Sequence, residues 1–361
     1  MTARLRGMPR FRVDLRSDTV SKPSDAMRAA MAAAEVGDAW YGDDPTVNRL
    51  QERAAELTGM EAALYVATGT MANQIGLRLH VTGQGHLVAC ERSAHVATTE
   101  VITSATQAGI AYRTGSDHPH GYMTATLAER LLEPDPYFDV EVIDLLTVEN
   151  TVGAYGGTVL PADELRAVRK LTDAAGVPLH LDGARIWNAV AATGEDVRSW
   201  TGEVDTMMFC LSKGLGAPIG SLICGSSEAI REARRIWILY GGAWRQAGIM
   251  AAAGLLALDT GRERLGEDHA RARRLGEAVS DLLPGAIALD RVVTNMVFVD
   301  TEAVGLRAGD VLDRLAAAGV GAVPVPGGVR MVTHVDVDDE GIGIAIDAWR
   351  SIAADAAKEA S

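Results

Sequence analysis

The fold is set by two apolar runs, each of which ends in glycine and charged residues. They are Pro178-Leu179-His180-Leu181-Asp182-Gly183-Ala184-Arg185 and Thr206-Met207-Met208-Phe209-Cys210-Leu211-Ser212-Lys213-Gly214-Leu215-Gly216. Runs that are apolar throughout, rather than alternating, are typical of parallel strands covered on both faces. The two runs therefore predict successive strands of one buried sheet, each followed by polar residues at its carboxyl end.

Similar apolar runs occur on both sides of this pair. Residues 63–66, 85–89, 145–148 and 220–224 are rich in strand-forming residues, and residues 162–175 have helical spacing with a stop at Gly176. Alternating strands and helices predict an α/β fold with a doubly wound, mostly parallel sheet. In such a fold ligands bind at the carboxyl ends of the strands.

The pattern changes near Gly261. A charged helix over residues 262–283 precedes two strand-like runs, 296–299 and 330–333, which alternate with helices over 308–318 and 340–356. This predicts a small α+β domain after a large one, with boundaries at 41–260 and 261–361. We expect residues 1–40 to pack over the site or over a neighbouring subunit.

Composition excludes several classes of protein. The chain has 361 residues, 48 % of them hydrophobic, and a net charge of −14, which disfavours nucleic acid and anionic membranes as partners. No targeting segment is expected, since the basic start at residues 1–7 leads into polar sequence, and no run is apolar enough to span a bilayer. The three cysteines lie in apolar runs without metal-ligand spacing, which fits buried thiols in the cytoplasm.

Asp182 and Lys213, thirty-one residues apart, carry the chemistry. An aspartate ending one strand and a lysine ending the next is an arrangement that holds pyridoxal phosphate. The carboxylate keeps the pyridine nitrogen protonated, so that the ring acts as an electron sink, and the amine forms a Schiff base. Alone, such an aspartate is usually a helix cap and such a lysine a solvated loop residue. Together, after similar strands, they favour the cofactor.

The cofactor's phosphate needs backbone N–H groups at a helix start, together with hydroxyls. Gly69 and Thr70 supply both, in a turn that follows the strand ending at Val66 and opens a helix near Met71. Thr-Gly turns are also common helix caps. This turn therefore supports a phosphate site mainly because it belongs to the same predicted sheet as Asp182 and Lys213. The later glycines, 214–220, do not form a dinucleotide site, because Pro218 would break the required helix and a strand follows.

Three further residues are candidates for the substrate. His95 follows the strand ending at Ala89 and could stack on a flat cofactor and relay a proton, although a surface loop histidine is the alternative. Arg185 lies three residues after Asp182, where its guanidinium could hold a carboxylate. Arg330 opens a strand of the small domain and could do the same, although such an arginine is usually only solvent-facing.

The remaining histidines are predicted to be structural. His180 lies within a buried strand, and His118 and His120 fall in a turn without a third ligand nearby. We therefore expect no metal.

With these residues assembled, the chain resembles the threonine aldolases, which are pyridoxal-phosphate enzymes of the aspartate-aminotransferase fold type I. The resemblance runs from Val13 to about Val337. It is carried by Asp14-Leu15-Arg16-Ser17-Asp18-Thr19-Val20, Tyr41-Gly42-Asp43-Asp44-Pro45-Thr46-Val47-Asn48, Thr68-Gly69-Thr70-Met71, Glu149-Asn150-Thr151, His180-Leu181-Asp182-Gly183-Ala184-Arg185, Leu211-Ser212-Lys213-Gly214-Leu215-Gly216-Ala217-Pro218 and Arg245-Gln246-Ala247-Gly248.

The resemblance implies a role for each candidate residue. Lys213 would bond the cofactor, Asp182 would pair with its ring nitrogen, His95 would stack on the ring, and Gly69 and Thr70 would hold the phosphate. Ser17, Arg185 and Arg330 would bind the substrate carboxylate. Arg245 would reach the cofactor phosphate of a neighbouring subunit, and Tyr41 would also approach across the interface, which implies a homodimer or homotetramer with shared sites.

The implied reaction is retro-aldol cleavage of a β-hydroxy-α-amino acid, such as L-threonine or L-allo-threonine, to glycine and an aldehyde, or its reverse. His95 would act as the base. The alternatives are another reaction of the same cofactor, such as β-elimination, transaldol transfer or racemisation, and a catalytically silent protein of this fold.

The chain departs from the family pattern on the side facing the substrate. Val152 stands where relatives have a second histidine, and Thr98 and Thr99 stand where they have tyrosines. Residues 101–103 replace glycines. These departures raise the hypothesis that the pocket accepts a different aldehyde or β-substituent.

Overall fold

In the computed structural model of the protein, residues 11–81, 83, 85–134 and 142–359 are described. They form two compact units, one from residues 23–263 and the other from residues 11–22 together with 264–359. The described part of the predicted N-terminal segment, residues 11–40, is divided between the two units after Lys22. The basic start at residues 1–7 lies outside the described residues.

The large unit contains a seven-stranded sheet in the order β2-β8-β7-β6-β5-β3-β4. The neighbours from β7 through β6, β5 and β3 to β4 are parallel, whereas β8 runs antiparallel to both β7 and β2. The strands β6, β7 and β8 are buried along their whole length, as continuous apolar runs require. The predicted doubly wound, mostly parallel sheet is confirmed. Its strands are β2 (Ala62–Val66), β3 (His86–Glu91), β4 (Ala111–Gly115), β5 (Val142–Glu149), β6 (Leu179–Asp182), β7 (Thr206–Cys210) and β8 (Ser221–Gly225).

Helices connect these strands. The helix α3 begins at Gly69, two residues before the predicted start, because the Thr68 side chain accepts a hydrogen bond from the Met71 N–H and caps it. After α11, one π-helical turn covers Ala257–Gly261. The helices of the large unit are α1 (Asp25–Ala32), α2 (Pro45–Thr58), α3 (Gly69–His80), α4 (His95–Thr98), α5 (Val101–Ala108), α6 (Ala125–Leu132), α7 (Ala162–Ala175), α8 (Ile186–Thr193), α9 (Arg198–Thr201), α10 (Ser227–Leu239) and α11 (Gly248–Leu256).

The C-terminal unit is a small α+β structure. Its antiparallel sheet has the order β11-β12-β9, and β1 pairs in parallel with β10. The core is apolar and includes the fully buried Trp349. Its elements are β1 (Val13–Asp14), α12 (Leu265–Leu282), β9 (Met296–Asp300), α13 (Ala308–Ala317), β10 (Val320–Gly321), β11 (Val323–Val325), β12 (Gly328–Val332) and α14 (Asp339–Glu359).

Two sequence predictions about strands were wrong. The strand β4 was missed because it lies at the sheet edge, where its residues are mostly half-buried or exposed and show no apolar run. Arg330 is the third residue of β12, the central strand of its sheet, and does not open a strand. Among the helices that the structure describes, none is long and apolar enough to cross a membrane.

Candidate active site

Three predicted cofactor-binding segments meet at one edge of the large sheet. Asp182 is the last residue of β6, and Lys213 lies three residues after the adjacent parallel strand β7. Because β8 is antiparallel to both β7 and β2, the strand β2 also points the same way, and its carboxyl end leads into Gly69. The topology thus brings together the aspartate, the lysine and the helix start that the sequence predicted.

A tight turn presents Lys213. The Gly216 N–H donates to the Lys213 carbonyl at 2.9 Å, and the Ala217 N–H donates to the Leu211 carbonyl at 3.0 Å. The Leu211 N–H in turn donates to the Gly220 carbonyl at 3.0 Å. Lys213 is half-buried at this turn, so its amine stands on a backbone that is tied down on both sides.

The start of α3 requires glycine at position 69. A Cβ added to Gly69 would lie 2.8 Å from the Cys210 sulfur, which is closer than two such atoms can pack. The helix start therefore packs directly against the end of β7. Its first N–H groups, with the partial positive charge of a helix N-terminus, suit a phosphate.

Asp182 is buried and is fixed by two hydrogen bonds. Its Oδ2 accepts from the Asn73 amide at 2.8 Å, and its Oδ1 accepts from the Ala184 N–H at 3.1 Å. Asn73 lies on α3, so the helix that carries the candidate phosphate site also supports this carboxylate. Sequence reasoning missed Asn73.

His95 is held at both its backbone and its ring. Its N–H donates to Glu149 Oε2 at 2.9 Å, and its Nδ1 lies 2.8 Å from Glu100 Oε1. The hydrogen bond from the His95 ring to the Glu100 carboxylate raises the pKa of His95, and the nearby Asp182 and Glu149 add to the effect while partial burial opposes it. With Nδ1 engaged, Nε2 is the atom that can exchange a proton with a ligand.

Two glutamates that the sequence analysis did not propose as site residues support His95. Glu100 has a buried carboxylate that also accepts from Asn73 at 3.2 Å and from Gln74 at 2.9 Å. Glu149 ends β5 opposite Asp182, and its Oε1 accepts from the Gly153 N–H at 2.9 Å. Burial and the neighbouring Asp182 raise the pKa of Glu149.

Arg185 stands at the start of α8, directly after the segment that holds Asp182. A Cβ added to Gly153 would lie 3.4 Å from Glu149 Oε1 and 3.9 Å from Arg185 Nη1. The guanidinium and the Glu149 carboxylate therefore both approach Gly153. Arg185 is half-buried, and its binding of a substrate carboxylate stays a prediction.

Ser17 and Arg330 come together within the C-terminal unit. Arg330 Nη2 donates to the Arg16 carbonyl at 3.4 Å, and Ser17 is the next residue. The Ser17 hydroxyl caps a short 3-10 helix, Asp18–Val20, and accepts from the Thr19 N–H at 3.2 Å. Their binding of a substrate carboxylate stays a prediction.

Tyr41 and Arg245 lie together on the surface of the large unit. Tyr41 is 78 % exposed, and Arg245 lies 3.5 Å from Asp38 and over the Trp40 ring at 5.3 Å. The Ala39 N–H ties this segment to the Arg245 carbonyl at 2.9 Å. We call Trp40, Tyr41 and Arg245 the aromatic surface.

Two positions that depart from the family pattern, Val152 and Thr98, donate hydrogen bonds to backbone carbonyls. Val152 is buried and its N–H donates to the Thr158 carbonyl at 2.8 Å, while the exposed Thr98 donates its hydroxyl to the Ala94 carbonyl. Thr99 is exposed.

His118 stacks on Tyr122 with ring centroids 4.2 Å apart, and the described part of the chain holds no cluster of three or more His, Cys, Asp or Glu that could bind a metal.

The residues at this edge fit pyridoxal phosphate by their chemistry. They comprise a buried carboxylate suited to a pyridinium N–H, an amine on the neighbouring strand suited to an aldehyde, and a helix start suited to a phosphate. All three come from one continuous edge of a sheet.

Comparison with known proteins agrees with this geometry. The family model described as beta-eliminating lyase matches residues 14–303. The chain is 39 % identical to the low specificity L-threonine aldolase of Escherichia coli O157:H7, over 95 % of this chain and 99 % of that protein. It is 36 % identical to a low-specificity L-threonine aldolase 2 of Arabidopsis thaliana, described as probable, over 94 % and 97 % of the two chains.

A solved structure of the Leishmania major threonine aldolase has the same fold. It superposes with a TM-score of 0.78 at 17 % sequence identity, covering 94 % of this chain and 99 % of that one.

Proposed function

We propose, from the premise that the chain belongs to the beta-eliminating lyase family, that it cleaves β-hydroxy-α-amino acids such as L-threonine and L-allo-threonine to glycine and an aldehyde. The predicted family, fold type and cofactor are confirmed, and the protein is a pyridoxal-phosphate-dependent lyase. The observation that carries the reaction is the placement of Asp182 and Lys213 at the ends of two adjacent parallel strands.

The assignment of roles to single residues is part of this proposal. When bound, pyridoxal phosphate accepts the electron pair that is released when the Cα–Cβ bond breaks. Lys213 would hold its aldehyde carbon, Asp182 its ring nitrogen, and Gly69 and Thr70 its phosphate. The His95 imidazole would lie against the ring.

Substrate orientation would come from the arginines. A guanidinium binds a carboxylate through two parallel hydrogen bonds and so fixes its direction as well as its position. Arg185 would do this beside Glu149, and carboxylate binding by Ser17 and Arg330 stays a prediction. A carboxylate held in this way would fix the orientation of the substrate's Cα and of the bonds around it.

His95 would take the β-hydroxyl proton. Its Nδ1 is bound to Glu100, so its Nε2 is the basic atom, and Glu149 holds the backbone of the same residue. The pKa of His95 is raised, so the pH range over which its basic form gains population lies higher than for an ordinary histidine. Cleavage should therefore accelerate with pH over that range.

A homodimer or homotetramer with shared sites is supported by the aromatic surface. Within it, Tyr41 is 78 % exposed and its chain neighbour Trp40 is 38 % exposed, and adjoining exposed apolar side chains are typical of interaction sites. If Arg245 serves a neighbouring subunit, mixing inactive Lys213→Ala and Arg245→Ala proteins should restore part of the activity. Mixtures that stay inactive although they exchange subunits would contradict shared sites.

A cytoplasmic location is also proposed, supported by three buried free thiols.

The test of the function is product analysis. The holoenzyme should convert L-threonine, L-allo-threonine and phenylserine to equal amounts of glycine and the matching aldehyde, and the substrate ranking would test the hypothesis of an altered pocket. Pyruvate and ammonia from serine would instead identify β-elimination. The Lys213→Ala protein should lose both turnover and the yellow colour that borohydride bleaches, and retention of both would overturn the assignment.

A further inference from the structure

Chemistry fixes the orientation of the Asn73 amide. Asn73 Nδ2 lies 2.8 Å from Asp182 Oδ2 and 3.2 Å from Glu100 Oε1. A carboxylate oxygen accepts and does not donate, so the NH₂ group, and not the carbonyl, must face both oxygens. Each amide hydrogen is thus committed to one carboxylate, and Asn73 joins the residue beneath the candidate cofactor ring to the partner of His95.

The carbonyl side of Asn73 then dictates the tautomer of His180. Asn73 Oδ1 faces His180 Nε2 across a long hydrogen bond of 3.5 Å, so Nε2 must carry the hydrogen. Full burial lowers the pKa of His180 to about 3, which keeps the ring neutral with one N–H. His180 Nδ1 is therefore an acceptor.

The same reasoning extends one residue further. Thr206 Oγ1 lies 2.8 Å from His180 Nδ1 and 2.9 Å from His80 Nε2. Its one hydrogen must go to His180, so His80 must donate to Thr206. Every hydrogen bond from His80 through Thr206, His180 and Asn73 to Asp182 consequently points in the same direction.

A glycine on α3 leaves room for the His180 imidazole in this series of hydrogen bonds. A Cβ added to Gly76 would lie 2.4 Å from His180 Cε1, which no side chain could tolerate without displacing the ring. The helix α3 therefore carries the candidate phosphate site at its start, Asn73 in its middle and a slot for His180 at Gly76.

We propose that Asn73, oriented by His180 and Thr206, is a positioning residue that fixes the Asp182 carboxylate for the cofactor's ring nitrogen and ties it to the His95–Glu100 pair. The inference rests on the proposed role of Asp182. It gives His180, which the sequence identified only as structural, a part in setting the site from outside it.

The matched pair Thr206→Val and Thr206→Ser tests this series of hydrogen bonds away from the site itself. Thr206 lies on β7 two residues before Met208, which is the cross-strand neighbour of Asp182. Valine keeps the shape and removes the hydroxyl, and serine keeps the hydroxyl. The measurement is the affinity of each apoprotein for added pyridoxal phosphate. We expect about tenfold weaker binding for Thr206→Val, which is the typical contribution of one hydrogen bond, and less than about twofold change for Thr206→Ser. Asn73→Leu, which removes both bonds to carboxylates, should weaken binding by about a hundredfold.

A spectroscopic readout separates positioning from mere loss of stability. If Asp182 is no longer held in place, the cofactor's ring nitrogen would keep its proton less firmly and would repel the proton on the cofactor-bound Lys213 nitrogen less. The pH midpoint of the cofactor's absorbance should move upward in Thr206→Val and Asn73→Leu and stay in place in Thr206→Ser. A purely structural role would lower the melting temperature and leave this midpoint unchanged.

The outcomes are distinguished by Asp182→Asn. If this variant weakens cofactor binding but Thr206→Val and Asn73→Leu bind with unchanged affinity and midpoint, the inference is wrong and the proposed site stands. If Asp182→Asn also binds normally, the proposed role of Asp182 fails and takes the inference with it. Equal shifts in Thr206→Val and Thr206→Ser would trace the effect to packing and overturn the inference, and Thr206→Val decides should Asn73→Leu not fold.

Discussion

The sheet edge that carries Asp182 and the aromatic surface around Tyr41 are built in opposite ways. At the edge, buried polar side chains are joined to one another, as in the run of hydrogen bonds from His95 through Glu100 and Asn73 to Asp182. At the aromatic surface, Arg245 is 58 % exposed in its side chain and is held by a long ion pair and a ring. The edge is positioned by this chain's own residues, whereas the aromatic surface has the features of a face that receives another chain.

The energetic consequence of this difference is testable. Buried polar networks strengthen their members but make each deletion costly, because the group left behind loses water as well as its partner. Exposed pairs gain little, since water and salt screen them. Changes at the edge should therefore have large effects, and changes at the aromatic surface should have small effects on the folding of one chain.

The largest effect is expected from His180→Phe in acid. His180 is neutral when folded, with a pKa lowered to about 3 by burial, whereas an unfolded histidine takes up a proton near its ordinary pKa of 6.5. The unfolded state therefore binds more protons below about pH 6.5, and the wild-type protein loses stability as the pH falls from there toward 3. At pH 4 this amounts to about 3 kcal/mol, which His180→Phe should not lose.

Urea unfolding at pH 7 and pH 4 measures this difference. The control is Leu181→Val at the buried apolar neighbour. Its loss of stability relative to the wild type should be the same at both pH values, because it keeps His180. An equal acid sensitivity in wild type and His180→Phe would show that the edge is not arranged around a neutral histidine.

Next comes Gly69→Ala at the start of α3. The added methyl would meet the Cys210 sulfur at 2.8 Å, so the helix start or β7 must shift, at a cost of about 1–3 kcal/mol. Because the shift falls on the candidate phosphate site, cofactor affinity should drop together with stability. Gly266→Ala is the matched control, since a methyl there would meet open space in a helix and should leave cofactor affinity unchanged without lowering stability. Unchanged affinity in Gly69→Ala would remove the phosphate from this helix start.

A smaller effect is expected from Glu100→Gln. The hydrogen bond from the His95 ring to the Glu100 carboxylate is the main cause of the raised pKa of His95, so that pKa should fall in the variant. If His95 acts as the base, the rise of kcat/KM with pH then begins at lower pH. The exposed Glu129→Gln should leave the profile in place. A profile that does not move in Glu100→Gln would assign the proton transfer to another group.

These residues also show what the sequence could predict. The strands β6, β7 and β8 were predictable because burial on both faces leaves an unbroken apolar run. Asp182 and Lys213 were predictable because parallel strands bring their carboxyl ends together. Asn73 was not, since its partners Glu100 and Asp182 lie 27 and 109 residues away and it has no local pattern of its own.

The edge strand β4 shows the same limit for secondary structure. A strand that is covered only in part needs no apolar run, so its sequence resembles a loop and its identity comes from pairing with β3. Sequence alone thus predicted the buried elements and the chemistry at their ends. It did not predict a strand without an apolar run, or polar contacts whose partners are distant in the chain.

The smallest effect is expected at the aromatic surface, from Asp38→Asn. Asp38 lies 3.5 Å from the largely exposed Arg245, and the asparagine keeps the oxygen that accepts from the Trp40 N–H. The free energy of unfolding should change by less than ~0.5 kcal/mol, and the change should vanish in high salt. Urea unfolding of wild type and Asp38→Asn in low and high salt measures this. A loss as large as that of a buried deletion would mean that Arg245 is fixed by its own chain, in which case the contrast between the two regions, and the neighbouring subunit inferred from it, would no longer hold.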